Sequence, residues 1–124
     1  MTRRLIARDG RPRLLAPTTT TKIALRMLRG SQTVAEHMPR GVAGSPALDI
    51  LLSLYVAEDE ARYPASGELA GIGPSAAAGE RWIAYLAELG LVDRRDDLLA
   101  LSAQGHALVT DLIEAMFVAQ RALD

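Results

Sequence analysis

The sequence predicts a mainly α-helical domain of the α+β class that carries one very short β-hairpin. Three observations lead there. Hydrophobic residues make up 49% of the chain but aromatics only 4%, so Leu, Ala, Ile and Val must build the core. That balance favours helices. Apolar residues also recur at i, i+3, i+4 and i+7 in several segments. Finally, "LVDRR" and "LLAL" can pair across Asp96-Asp97 between two helical stretches.

The chain has 124 residues, which suits one domain with a core that needs no staples. Residues 1–16, "MTRRLIARDGRPRLLA", read as a basic arm, and residues 17–124 as the domain. Asp9-Gly10 is a hairpin-turn signal, and Pro12 limits the second half to an edge strand or an extended segment. A small hairpin and a disordered tail are both compatible with these residues.

Pro17 and the threonines Thr18 to Thr21 mark a helix start with a threonine N-cap. Ile23, Met27, Val34 and Met38 then follow at helical spacing. Gly30 and Ser31 weaken the middle of this helix and are expected to bend it. Pro39 ends it, and Arg40 to Pro46 form a loop. The next helix is expected from about Ala47 to Arg62, with Leu48, Leu51, Leu52, Tyr55 and Val56 as its core stripe. Pro64 marks its stop.

A short helix follows from Ser66 to about Gly71, then the turn "GIGP". Pro74-Ser75 open a helix over about residues 75–89, with Ala78, Trp82, Ile83, Leu86 and Leu89 on one face. Trp82 is therefore assigned to the core. Gly90 is a helix-ending residue. Beyond the hairpin, Ser102 caps the last helix. Val109, Leu112, Ile113, Met116 and Phe117 spread around more than one of its faces, which calls for burial on two sides. In a small protein this points to a partner subunit as well as the core.

Net charge is −1, but the average hides an asymmetry. Residues 1–30 hold eight basic residues against Asp9 alone, a balance of +7; the rest hold six against fourteen acids, −8. A basic arm on an acidic body suggests a polyanion or an acidic surface as partner, the plainer reading being a solubilising tail. The absence of cysteine excludes disulfides and thiol chemistry. No run approaches the roughly 20 apolar residues that span a bilayer, and no secretory pattern follows the first arginines. The sequence thus leads us to expect a cytoplasmic protein without membrane partners.

Short helix, turn, longer helix is the order of a helix-turn-helix, whose second helix enters a major groove. "ELAGIGPSAAAGERWIAYLAELGLVDRR" followed by "LALSAQGHALV" resembles the MarR-type winged-helix family of bacterial transcriptional regulators. The likeness rests on Glu68-Leu69-Ala70, Arg81-Trp82-Ile83, Leu86, Gly90-Leu91-Val92, Arg94-Arg95 and Leu101-Ser102…Gly105. "ALDILLSLY" from Ala47 to Tyr55 matches the preceding helix, so the likeness spans about residues 47–112.

The resemblance implies a winged helix-turn-helix with a two-stranded wing and flanking helices that interlock two subunits. It implies a homodimer on double-stranded DNA, with half-sites about one helical turn apart (roughly 34–36 Å). The candidate DNA-binding residues are Ser75, Ala76, Ala77, Glu80 and Arg81 on the reading helix. Arg94 and Arg95 in the wing and Arg3, Arg4, Arg8, Arg11 and Arg13 in the arm complete the set. Candidate dimerisation residues are Ile23, Met27, Val34, Leu112, Ile113, Met116 and Phe117.

The sequence departs from the family where charge matters most. Asp93, Asp96 and Asp97 outnumber Arg94 and Arg95 in a wing that is shorter than usual. Ala76, Ala77 and Gly79 offer only methyl or backbone contacts. Glu80 repels phosphate but can accept from cytosine. Arg81 is the one strong phosphate or guanine contact, and the arm can compensate by entering a minor groove. The alternative is a winged-helix protein-interaction module, with the arm or the acidic body docking another protein.

Other motifs carry less. "GIGPSA" fits a G-x-G-x-x-A dinucleotide fingerprint, but no strand precedes it. His37 and His106 lack neighbouring ligand residues, so no metal is expected. Glu58-Asp59-Glu60 reads as a solvated helix face. No Ser/His/Asp, paired-carboxylate or P-loop constellation appears, and neither an enzyme nor a cofactor is expected.

Overall fold

A computed structural model describes residues 3–6, 12–15 and 19–123. The described chain is mainly helical, with two separate two-stranded antiparallel sheets. Among the described residues no helix is long and apolar enough to cross a membrane.

The arm forms a ladder of β1 (Arg3–Ile6) and β2 (Pro12–Leu15), from Arg3 opposite Leu15 to Ile6 opposite Pro12. Of the two arm readings, the hairpin is the one found. The Asp9-Gly10 turn, the boundary at residues 16–17 and the proposed start at Pro17 and Thr18 lie outside the described residues. Helix α1 (Thr19–His37) is continuous. The helix runs through Gly30-Ser31 without a break, and Gly30 is buried there against Met116.

Helix α2 (Pro46–Asp59) starts one residue earlier than expected and stops three earlier. Ser45 accepts from the Ala47 amide at 3.2 Å, and Pro46 occupies the first turn, where its missing N–H costs nothing. The stop precedes Pro64 because Ala61 turns into left-handed backbone, φ 55°. Its inward face is Ala47, Ile50, Leu51, Leu54 and Ala57, while Val56, expected in the core stripe, is exposed.

Helix α3 (Ser66–Ala70) and helix α4 (Ala76–Glu88) flank the turn. The Ser75 hydroxyl accepts from the Ala78 amide at 3.1 Å and so caps α4. At the other end Gly90 adopts φ 77°. Its amide reaches the Ala87 carbonyl and the Leu91 amide the Leu86 carbonyl, each at 3.0 Å. That pair of bonds is a Schellman cap, which needs a residue tolerant of left-handed backbone. Strands β3 (Val92–Arg95) and β4 (Leu98–Leu101) follow, with Val92 opposite Leu101 and Arg95 opposite Leu98. Asp96 takes the positive φ of the tight turn.

Helix α5 (Ala103–Arg121) begins at Ser102, whose hydroxyl accepts from the Gly105 amide at 2.9 Å and donates to the Gly90 carbonyl at 2.6 Å. One serine thus caps α5 and fastens it to the end of α4. Ile50, Leu51 and Leu54 of α2, Ile83 and Leu86 of α4, Leu99 of β4 and Val109 and Leu112 of α5 form one buried core. Helix α1 lies against α5 outside this centre and antiparallel to it. Arg26 accepts from Gln120 at its carbonyl, Gly30 meets Met116, and His37 shares a groove with Asp111.

Candidate nucleic-acid interface

The α3–turn–α4 unit is held by contact too close for any side chain. A methyl group on Gly79 would overlap the Ala70 carbonyl, so α4 crosses α3 backbone to backbone. Gly79 was expected among the outward residues of α4 and is instead buried. The inward face of α4 is Gly79, Ile83 and Leu86. Of the expected face, Ile83 and Leu86 are fully buried, Trp82 and Leu89 pack partly buried against the core, and Ala78 is intermediate.

Trp82 is therefore only half-buried and packs on the rim of the core. Its ring meets Tyr85 edge-on, with centroids 5.9 Å apart. The two rings, Ala78 and Arg81 line a shallow cleft of about 310 Å³. Tyr85 was not among the candidate residues. Its signal was its place three residues after Trp82, the spacing that puts two helical side chains side by side.

The outward face of α4 carries the exposed residues Ser75, Ala76, Ala77 and Arg81 together, as expected. Glu80 also belongs to this end of α4, but it is not free to read a base. Its carboxylate accepts from Arg94 of β3 at 2.9 Å. The bond ties hairpin to helix and offsets one positive charge with one negative. Arg95, the next residue and the last of β3, is exposed beside Asp93 and Asp96.

The hairpin is anchored from a second side. The Ser66 hydroxyl donates to the Asp97 carboxylate at 2.7 Å, and the Ser66 amide to the Asp97 carbonyl at 2.9 Å. Ala65 bridges Leu98, and the Leu99 amide donates to the Pro64 carbonyl at 2.9 Å. Asp97 thus acts as a fastener to α3. The partners stand 31 positions apart, so no local pattern reveals them.

Of the arm arginines, Arg3, Arg4 and Arg13 fall in β1 and β2, while Arg8 and Arg11 lie outside the described residues. The candidate dimer residues divide. Ile23, Met27, Ile113 and Phe117 are exposed. Val34 and Met116 are partly buried against the core and line an apolar groove of about 540 Å³ with Ile23, Met27 and Leu48. Leu112 is a correction: it is 2% exposed and belongs to the core. It sits directly after Val109 on the inward stripe of α5, so no partner can reach it.

The remaining motifs resolve plainly. "GIGPSA" is the turn between α3 and α4, with a helix before it. His106 stacks on Tyr55 with ring centroids 5.2 Å apart, and its Nε2 lies 3.9 Å from Glu58. Glu58, Asp59 and Glu60 are exposed. Among the described residues no group of His, Asp or Glu is placed to hold a metal ion. No protein-family model matches the chain, and no curated protein matches it.

Proposed function

We propose that the protein is a winged-helix, MarR-like regulator that binds double-stranded DNA as a homodimer. Helix α4 would enter the major groove, the β3–β4 hairpin would serve as a short wing, and the basic arm would supply further phosphate contacts. One observation carries the reading. Gly79 seats α4 on α3 so closely that Ser75, Ala76, Ala77 and Arg81 stand together on a free outward face. A helix N-terminus with small residues lets the backbone approach a phosphate, and Arg81 adds a cation one turn later.

A second reading is favoured by a specific contact. Arg94 is engaged by Glu80, and the hairpin tip carries Asp96 and Asp97. Such a wing gives little to a phosphate backbone. It suits a winged-helix module that docks a protein, with Trp82 and Tyr85 as an aromatic edge.

Fluorescence anisotropy with random duplex DNA at several salt concentrations separates the two. The DNA reading expects binding near about 50 mM salt, with affinity falling steeply as salt rises. Arg81→Ala should cost roughly tenfold in affinity while leaving the melting curve in place. Deleting residues 1–16 should flatten the slope of log affinity against log salt by about 0.9 for each phosphate that the arm neutralises. No binding at the low-salt end would make the protein-docking module the better reading. Binding with an unchanged slope would take the arm off the DNA and leave α4 on it.

A further inference from the structure

Helix α4 offers few groups that can form a hydrogen bond with a base. Ala76, Ala77 and Ala84 are exposed on it, and their side chains hold no polar atom. The Ser75 hydroxyl already accepts from the Ala78 amide. The Glu80 carboxylate is taken by Arg94 at 2.9 Å. Glu88 closes the helix, about 10 Å beyond Arg81 along its axis. Arg81 remains. It is exposed, and among the described residues it has no ion-pair partner.

Beside Arg81 lies the cleft of about 310 Å³ that it lines together with Ala78, Trp82 and Tyr85. Ala78, Trp82 and Tyr85 recur at i, i+4 and i+7 with Arg81 at i+3, so the four form one flank of α4. The two rings meet edge-on, and Tyr85 keeps 37% of its surface exposed. No carboxylate lines this cleft. An apolar hollow with a cation on its rim fits a partner that brings an apolar group and hydrogen-bond acceptors side by side. The major groove of DNA does so. The thymine C5-methyl is the apolar group of its floor, and guanine presents two acceptors, O6 and N7, in the fork geometry of an arginine. Arg81 and Tyr85 are four residues apart, about 6 Å along the helix. That is less than two base steps of about 3.4 Å.

We infer that this cleft is the specificity-determining site of α4. It receives a thymine methyl against Trp82 and Tyr85, while Arg81 forms two bonds with a guanine at most about two base pairs away. Adenine finds no partner, because no Asn or Gln stands on α4. Cytosine finds none either, because Glu80 is held by Arg94. The inference rests on the DNA reading of the proposed function and adds which bases α4 selects.

The test starts from a selection of the full chain against random duplex DNA near about 50 mM salt. The enriched duplexes should carry a thymine next to, or one pair removed from, a guanine in each half-site. Replacing that thymine by uracil removes the methyl alone. Fluorescence anisotropy should then show a loss of about fourfold per half-site, the effect of one apolar carbon returned to water. Exchanging the guanine for adenine should cost roughly tenfold. Tyr85→Ala should bind thymine and uracil duplexes alike and still prefer guanine. Tyr85→Phe keeps the ring and should keep the uracil penalty. Arg81→Ala should lose the guanine preference and keep the uracil penalty. The uracil exchange alters only the DNA, so it tests the cleft without relying on the folding of any variant. Enriched sites without the thymine–guanine pattern, a uracil duplex bound as tightly as its parent, or a folded Tyr85→Ala chain that still penalises uracil would each overturn the inference and leave the DNA reading standing. A chain that binds no duplex would overturn the DNA reading and the inference with it.

Discussion

The two halves of α5 are one helix in two environments. From Gly105 to Leu112 its inward residues are built into the core, at 0% exposure for Val109 and 2% for Leu112. From Ile113 to Arg121 the apolar content persists, but Ile113, Phe117 and Val118 stand in solvent. The first half answers to the α2–α4–hairpin body. The second answers mainly to α1, which covers one side of it, with Met116 still packed against the core. Apolar residues that exceed what the fold covers are the physical ground for the proposed partner, and the exposed ones begin just after Leu112.

The strongest way to break the contrast is at its root. A methyl group on Gly105 would overlap the Leu91 carbonyl, and backbone cannot swing aside as a side chain does. Gly105→Ala should destabilise by about 3 kcal/mol or more. Leu112→Ala should cost about 3 kcal/mol through the cavity it leaves in the core. Both effects should appear in urea melts of dilute protein, where assembly contributes least. A melt unchanged by Leu112→Ala would mean that Leu112 is not seated in the core.

Trp82→Ala tests the rim of the same body. A fully buried tryptophan would cost about 3–5 kcal/mol, and the half-buried position found here lowers the expectation to about 2 kcal/mol. The destabilisation should be smaller than that of Leu112→Ala in the same urea series. The reverse order would put Trp82 deeper in the core than its neighbours Ala78, Arg81 and Tyr85 allow.

These residues show how far the sequence carried the fold. Ser75, Gly90 and Ser102 marked the ends of α4 and the start of α5, because caps are local chemistry that a chain writes at the boundary itself. The hairpin across Asp96-Asp97 was legible for the same reason. The depth of Trp82 was not, since periodicity names the residues of a face, among them the buried Ile83 and Leu86, without saying which lie at its centre and which at its rim. Nor was Leu112, because spacing shows that a helix is apolar on two sides without showing which side the fold covers. At the candidate interface Arg81 stood where expected. The Arg94–Glu80 and Ser66–Asp97 links join residues distant in sequence, and no periodicity encodes them.

Phe117→Ala probes the other half. At 64% exposure the ring contributes little to the isolated fold, so dilute protein should be destabilised by less than about 1 kcal/mol. At higher concentration the variant should dissociate more readily than the wild type. Melting temperature should then rise with concentration in the wild type and much less in the variant, because self-association stabilises by mass action. Equal concentration dependence in both would remove Phe117 from any interface.

The smallest expected effect supplies the control. Ala61 sits at φ 55°, where an L-residue carries a steric penalty of about 1–2 kcal/mol. Glycine relieves that penalty but gives back part of the gain through its greater freedom in the unfolded chain. Ala61→Gly should therefore stabilise the protein by about 0.5 kcal/mol. The residue is exposed just beyond α2 and outside the outward residues of α5, so self-association should stay as in the wild type. A small rise in the urea midpoint with an unchanged dissociation constant separates core stability from assembly. If Ala61→Gly shifted the dissociation constant as much as Phe117→Ala, the effects seen on the outward stripe would reflect stability rather than contact.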